Sequence, residues 1–187
     1  MVWFYDMGTR ENDFQTILDK AKKISLNGLS KNVFALFEKA GKTVAVVESI
    51  TGGLLGYYLS LQSGSSQFFR GGVIAYHPFV KINQVGLDPK LLAQKGEVSA
   101  DVASFLAKNI RKNCLVDIGI SAVGFAGPAI SKTEKVGLVF LGIATEDKEK
   151  SFQFLFDGDR DEIRKKTVEA GLGLLIFELR NIMKGVY

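Results

Sequence analysis

The feature that most constrains the fold is the alternation of short apolar, β-branched runs with helical patterns along the chain. Strand-like runs at residues 43–48, 71–76 and 116–125 are separated by segments in which apolar residues recur at helical spacing. This interleaving predicts an α/β fold with helices on both faces of the sheet. Two later strand-like runs, at 136–146 and 151–156, lie close together and predict an antiparallel pair, so the sheet is expected to be mixed.

The helical segments and their ends follow from capping and breaking residues. Residues 12–42 have helical spacing with a break at Asn27-Gly28, and a helix that begins at a pair of glycines is expected over 51–62. Short helical turns over 78–95 are broken at Gly86 and Pro89, and Ser99 is a good N-cap for a helix that ends at Asn113. Residues 1–10 are expected to be a loosely ordered leader, and 11–187 a single domain.

The last predicted helix, residues 159–183, is apolar nearly all round in its second half. Such a helix is either central to the core or part of a subunit interface. Because the helix is apolar on more faces than one small domain can easily bury, the sequence predicts self-association, with a dimer favoured.

Composition excludes several kinds of site and partner. The 187 residues include one Cys and one His, so an intrachain disulfide and a Cys/His zinc site are excluded, and a Ser-His-Asp triad would have to use His77. The net charge is +4 without a basic block, and no run of about 18 apolar residues occurs. We expect a cytoplasmic protein that binds neither nucleic acid nor membrane.

The 20 glycines cluster next to strand ends, where α/β proteins bind ligands. Ser49 lies between a strand and a helix start, which is the placement of a nucleophilic serine; alternatively Ser49 or Thr51 only caps the helix. The base for such a serine could be His77 or a buried lysine such as Lys81. Arg160 and Arg164 either hold a phosphate or form an ordinary charged helix start.

Ordered motifs over about residues 30–180 resemble the CinA C-terminal domain family, whose members are PncC-type nicotinamide-nucleotide amidohydrolases. The resemblance is carried by Glu48-Ser49-Ile50-Thr51-Gly52-Gly53, Gly64-Ser65-Ser66, Phe69, Gly71-Gly72-Val73, Tyr76, Lys81, Gly96-x-Val98-Ser99, Asp117-Ile118-Gly119, Gly124-x-Ala126-Gly127-Pro128, Glu134-Lys135, Val136-Gly137 and Gly158-Asp159-Arg160. It implies a three-layer α/β/α sandwich, in agreement with the pattern of strands and helices.

The resemblance also implies a reaction and a set of site residues. Ser49 would be the nucleophile and Lys81 its base, in hydrolysis of the carboxamide of nicotinamide mononucleotide to nicotinate mononucleotide and ammonia. No metal or organic cofactor is implied. Tyr76 would support the lysine or stack near the pyridine ring. The substrate-binding residues would be Gly127, Arg160 for the phosphate, and, as oxyanion donors, Thr51, Gly52 and Gly53.

The chain departs from the family pattern around this dyad. The family usually has Tyr-Ser-Asn-x-x-Lys where this chain has Tyr76-His77-Pro78-Phe79-Val80-Lys81, so a backbone donor and an amide are lost. A hydroxyl is absent at Val123, and residues 129–132 lack the family's glycines. Two alternatives therefore stand beside the hydrolase: a related amidase with another substrate, or a divergent nucleotide-binding or interaction module with little or no turnover.

Overall fold

A computed structural model describes residues 2–3, 11–129 and 135–185. The strands are β1 (Val2–Trp3), β2 (Val44–Glu48), β3 (Phe69–Ile74), β4 (Ile118–Gly124), β5 (Leu138–Ala144) and β6 (Glu149–Leu155). The helices are α1 (Glu11–Ala21), α2 (Leu26–Ala40), α3 (Leu54–Ser60), α4 (Pro78–Val85), α5 (Pro89–Lys95), α6 (Ala100–Asn113) and α7 (Arg160–Met183). The predicted leader segment other than 2–3, and residues 130–134, lie outside the described residues.

The strands form one mixed sheet in the order β1-β6-β5-β4-β2-β3. Strand β2 is parallel to β3 on one side and to β4 on the other, whereas β4–β5 and β5–β6 are antiparallel. The predicted mixed sheet and its antiparallel pair are confirmed. Because β2, β3 and β4 run in the same direction, their carboxyl ends meet at one edge, which is called the rim below.

Helices cover both faces of the sheet, and the α/β/α sandwich is confirmed. Helices α1, α2, α3 and α7 enclose one apolar core with the sheet, and residues of α4, α5 and α6 enclose the other. Helix α6 approaches β4 and β5 closely because both strands have glycine beneath it: a Cβ at Gly119 would lie 2.0 Å from the Ala107 carbonyl oxygen, and one at Gly142 would lie 2.1 Å from that of Ala103.

Helix α7 is the central helix of its layer. Its residues from 167 to 179, with one exception at 169, are buried inside the single chain, where α1, α2, α3 and the sheet pack around it. Its all-round apolar character is therefore explained by the monomer core. Self-association stays a prediction, but it no longer follows from this helix.

Capping residues fix where the helices begin. The Ser99 hydroxyl accepts a hydrogen bond from the Val102 N–H at 3.3 Å, and α6 starts at Ala100 and ends at Asn113, as predicted. The predicted break at Asn27-Gly28 is wrong, because Ser25 caps α2 by accepting from the Gly28 N–H at 3.2 Å.

No helix within residues 11–129 and 135–185 combines the length and apolarity needed to cross a membrane.

Candidate functional site

The segments that leave β2, β3 and β4 lie side by side at the rim. Glu48, the last residue of β2, is paired with Ile74 of β3 and with Ala122 of β4. The pairing continues beyond the strand, since the Ser49 N–H donates to the Ala122 carbonyl at 2.9 Å. The Ala75 N–H likewise donates to the Glu48 carbonyl at 2.7 Å. The sheet therefore fixes the backbone of Ser49 relative to the segment that leads to Tyr76.

Ser49 is half-buried and opens a tight turn that leads into α3. The Gly52 N–H donates to the Ser49 carbonyl at 3.2 Å, and Gly52 (φ 57°) and Gly53 (φ 99°) have left-handed backbone conformations. L-residues with a side chain rarely adopt such φ values, which explains the glycine pair. The helix predicted from residue 51 thus begins only at Leu54.

Glu48 holds this turn against the start of α3, a role that sequence reasoning missed. Its side chain is 1% exposed, and its carboxylate accepts hydrogen bonds from the N–H groups of Gly53 at 2.9 Å, Leu55 at 3.0 Å and Gly56 at 2.7 Å. A carboxylate is favoured at a helix N-terminus, where backbone donors and the helix dipole meet. The available signal was an acidic residue a few positions before a predicted helix start.

This arrangement changes the expected oxyanion donors. The Gly53 N–H is engaged by Glu48, and the Gly52 N–H is bonded within the turn. Thr51 is fully buried, and its hydroxyl has no hydrogen-bond partner among the described residues. Gly52 is the exposed member of the three. A contact between substrate and Thr51 or Gly53 stays a prediction; it requires Thr51 to become exposed or the Gly53 N–H to leave Glu48.

Lys81 lies in the first turns of α4 and is 1% exposed. Its ammonium donates to Glu97 Oε2 at 2.7 Å, and no hydrogen bond joins Lys81 to Ser49 within the part of the chain that the structure describes. The Ser49–Lys81 pairing therefore stays a prediction. No motif in the sequence indicates Glu97, which lies 16 residues beyond Lys81 in the connection between α5 and α6.

The departures around Lys81 build a regular helix start. His77 is the N-cap of α4, and its Nδ1 accepts from the Phe79 N–H at 3.2 Å. Pro78 occupies the first helical position, where a missing N–H breaks no helical hydrogen bond. Val123 is 1% exposed and packs in the core beside α6. The hydroxyl that the family usually has at this position would therefore lie in the core.

Arg160 brings three of the predicted site residues together. Its Nη2 donates to the Tyr76 hydroxyl at 2.7 Å, and its Nη1 donates to the Gly127 carbonyl at 2.5 Å. All three residues had been singled out from the sequence, but no pattern indicated that they contact one another. Tyr76 is 58% exposed, so its ring is available to a ligand at the rim.

Arg164 lies one helical turn beyond Arg160 and supports the serine turn. Its Nη2 donates to the Thr51 carbonyl at 2.9 Å and lies over Gly52, where a Cβ would be 3.2 Å away. Asp159 caps α7 in a capping box with Glu162, which fixes where both arginines leave the helix. The start of α7 thus contacts the segments that follow β2, β3 and β4.

A family model corresponds to this fold and these motifs. The model for the CinA C-terminal domain matches residues 26–179. The chain belongs to the CinA C-terminal domain family. Glu48, Ser49, Tyr76, Lys81 and Arg160 all lie within the matched segment.

Relatives of this CinA domain are longer proteins. A competence-damage inducible protein of Halothermothrix orenii is 41% identical over 144 residues, which cover 76% of this chain and 35% of that protein. A competence-damage inducible protein of Bacillus subtilis is 39% identical over 148 residues, which cover 79% of this chain and 36% of that protein. The chain spans about a third of the length of these curated relatives.

Solved structures share the fold. A competence or damage-inducible protein from Enterobacter asburiae is 25% identical with a TM-score of 0.79 and covers 83% of this CinA domain and 98% of that chain. The competence/damage inducible protein CihA of Agrobacterium tumefaciens is 29% identical with a TM-score of 0.77, and the match covers 83% of this chain and 95% of that chain. The domain architecture is therefore shared by proteins from several bacteria.

Proposed function

We propose that this CinA domain hydrolyses the carboxamide of nicotinamide mononucleotide to nicotinate mononucleotide and ammonia. The observation that carries the proposal is the Ser49 turn, which is half-buried at the rim and anchored by three hydrogen bonds to the Glu48 carboxylate. A nucleophile needs a fixed backbone and an accessible hydroxyl. Family membership supports the same assignment, with Lys81 as the base.

The proposed reaction runs through an ester on Ser49. The hydroxyl oxygen attacks the carboxamide carbon while its proton passes to the neutral amine of Lys81. The C–N bond breaks, Lys81 returns the proton to the leaving ammonia, and a nicotinoyl ester remains on Ser49. Water then attacks the ester with Lys81 as base, releasing nicotinate mononucleotide. The N–H of Gly52, an exposed residue, bonds to the Ser49 carbonyl at 3.2 Å and is the proposed oxyanion donor.

The cluster of Tyr76, Gly127 and Arg160 is the proposed binding site for the nucleotide. A guanidinium carries five N–H donors, and the two bonds to Tyr76 and Gly127 leave others to pair with a phosphate. The exposed Tyr76 ring offers a face on which a pyridinium ring can stack. Arg160 is thereby assigned to substrate affinity and Ser49 with Lys81 to the chemical step.

A binding module without turnover is the second candidate function. It is favoured by the hydrogen bond of Lys81 to Glu97, because an ammonium held by a carboxylate cannot accept the proton of Ser49. Under this alternative the rim binds a pyridine nucleotide, and no amide bond is cleaved.

One assay separates the candidates. The purified chain is incubated with nicotinamide mononucleotide, nicotinamide riboside or free nicotinamide, and ammonia and the acid products are quantified. We expect equimolar ammonia and nicotinate mononucleotide from the mononucleotide, and far slower reaction of the two compounds that lack phosphate. Binding of the mononucleotide by calorimetry without any product would favour the module. Faster hydrolysis of a different amide would favour a related amidase.

A further inference from the structure

We propose that Glu97, through its ion pair with Lys81, controls whether Lys81 is available as a base. The inference rests on the proposed amidohydrolase function. It starts from an asymmetric ion pair: Lys81 is 1% exposed, the Glu97 side chain is 44% exposed, and their charged atoms are 2.7 Å apart. Glu97 is a positioning residue in this account, since it acts through Lys81.

The burial of Lys81 makes a counter-charge necessary. A buried ammonium is costly unless it is paired and hydrogen-bonded, and removing one partner of such a pair leaves an uncompensated charge. Glu97 supplies the negative charge from the short connection between α5 and Ser99, the N-cap of α6. Gly96 has φ 73° and donates to the Leu92 carbonyl at 2.9 Å. Both ends of the connection are thus fixed by helix caps.

Four titratable groups from α6, the start of α4 and the carboxyl ends of β2 and β3 have partners of their own. His77 Nδ1 accepts from Phe79, Asp101 lies 3.5 Å from Lys95, Tyr76 bonds to Arg160, and the Glu48 carboxylate is held by backbone N–H groups. Among the described residues, Glu97 is therefore the charged partner of Lys81.

The chemistry requires this pair to change. Lys81 must leave its 2.7 Å bond to Glu97 and give up a proton to solvent before its amine can accept the Ser49 proton. Replacing Glu97 with Gln keeps the size of the side chain and a hydrogen-bond acceptor but removes the charge.

The first test is the pH dependence of kcat/KM for nicotinamide mononucleotide. In Glu97→Gln we expect the acid limb of the profile to move to lower pH, with a rate on that limb about tenfold higher than in the wild type. The matched control is Asp101→Asn, an exposed carboxylate of α6 paired with Lys95, which should leave the limb in place. A variant rate that falls at every pH, with an unmoved limb, would mean a merely structural role and overturn the proposal.

The second test needs no catalytic activity. Cyanate carbamylates neutral, accessible amines, so the rate at Lys81 at a fixed pH near 7, measured by peptide mass spectrometry, reports how readily its amine leaves the ion pair. We expect Lys81 to react about tenfold faster in Glu97→Gln than in the wild type, with Lys108 as an unchanged internal reference. Equal rates overturn the role of Glu97. If the rates differ but wild type never hydrolyses the mononucleotide, the proposed function fails while the control of Lys81 by Glu97 stands.

Discussion

The Arg160 guanidinium donates a 2.7 Å hydrogen bond to the Tyr76 hydroxyl, although the two residues are 84 positions apart in the sequence. The same guanidinium donates to the carbonyl of Gly127. One side chain at the start of α7 thereby links the segment after β3 to the segment after β4.

Two substitutions that remove this link should weaken substrate binding to different extents. Tyr76→Phe deletes one hydrogen bond, worth about 1 kcal/mol, so KM for nicotinamide mononucleotide should rise about fivefold. Arg160→Ala also deletes the charged partner of the phosphate, worth about 1.5–3 kcal/mol, so KM should rise more than tenfold. Steady-state kinetics give both values. Arg70→Ala, an exposed arginine elsewhere on β3, is the control. Unchanged KM in Arg160→Ala would remove Arg160 from the binding site.

Glu48 should be important for stability as well as for the serine turn. Glu48→Ala leaves the three N–H groups of Gly53, Leu55 and Gly56 without their buried acceptor, and we expect a loss of about 3 kcal/mol or more in the free energy of unfolding. Urea unfolding measures this loss. Glu38→Ala, an exposed glutamate on α2, should change stability by less than about 0.5 kcal/mol. Similar effects for both variants would contradict the anchoring role.

Asp117 should make the fold sensitive to acid. Burial alone would raise the pKa of its carboxyl, but hydrogen bonds from Lys42 and Thr43 outweigh burial and lower the pKa below the ordinary 3.8. A lowered folded-state pKa adds stability above the unfolded pKa, and this stability is lost as pH falls through the folded value. Because the Lys42–Asp117 pair is 36% exposed at both side chains, we expect only about 1 kcal/mol.

The measurement is the stability difference between wild type and Asp117→Asn as a function of pH. The difference should be about 1 kcal/mol at pH 6 and should shrink steadily below about pH 4. A constant difference from pH 6 to pH 3 would show that the ionisation of Asp117 does not matter to folding.

Gly142 should not tolerate a methyl group. Gly142→Ala places a Cβ 2.1 Å from the Ala103 carbonyl oxygen, so α6 must move away from β5, at a cost of about 2–3 kcal/mol. Gly171→Ala on α7 is the matched control. Its Cβ would make ordinary contacts at 3.5 Å and gain about 1 kcal/mol of helix propensity. Thermal unfolding of both variants tests the contrast, and equal melting temperatures would count against the close helix–sheet packing.

The sequence predicted the architecture well because periodicity and capping are local. The Ser99 cap of α6 and the glycine stop at Gly86 after α4 are each carried by a few adjacent residues. The start of α3 was predicted too early, because the backbone donors of its first turn are satisfied by Glu48 from the preceding strand. The all-round apolar pattern of α7 fits either a core helix or a helix at a subunit interface. Only the packing of the whole domain distinguishes the two.

The candidate site was predicted only in part, because several of its contacts join residues that are far apart in the sequence. Ser49 and Lys81 follow from motif resemblance, and the strand order brings their segments to one edge. The partners of these segments come from far along the chain: Glu97 reaches Lys81 from a later connection, and Arg164 reaches the Thr51 carbonyl across 113 residues. Contacts of this range depend on how the layers pack, and no local pattern in the sequence encodes them.

The most direct test of the central claim is ammonia release from nicotinamide mononucleotide by wild type, Ser49→Ala and Lys81→Met at equal concentrations of folded protein. Removing a nucleophile or its base typically lowers kcat by several orders of magnitude, so both variants should fall at least about a thousandfold below wild type. Ser66→Ala, an exposed serine outside the turn, should retain full activity. Equal ammonia release by wild type and Ser49→Ala would contradict the account.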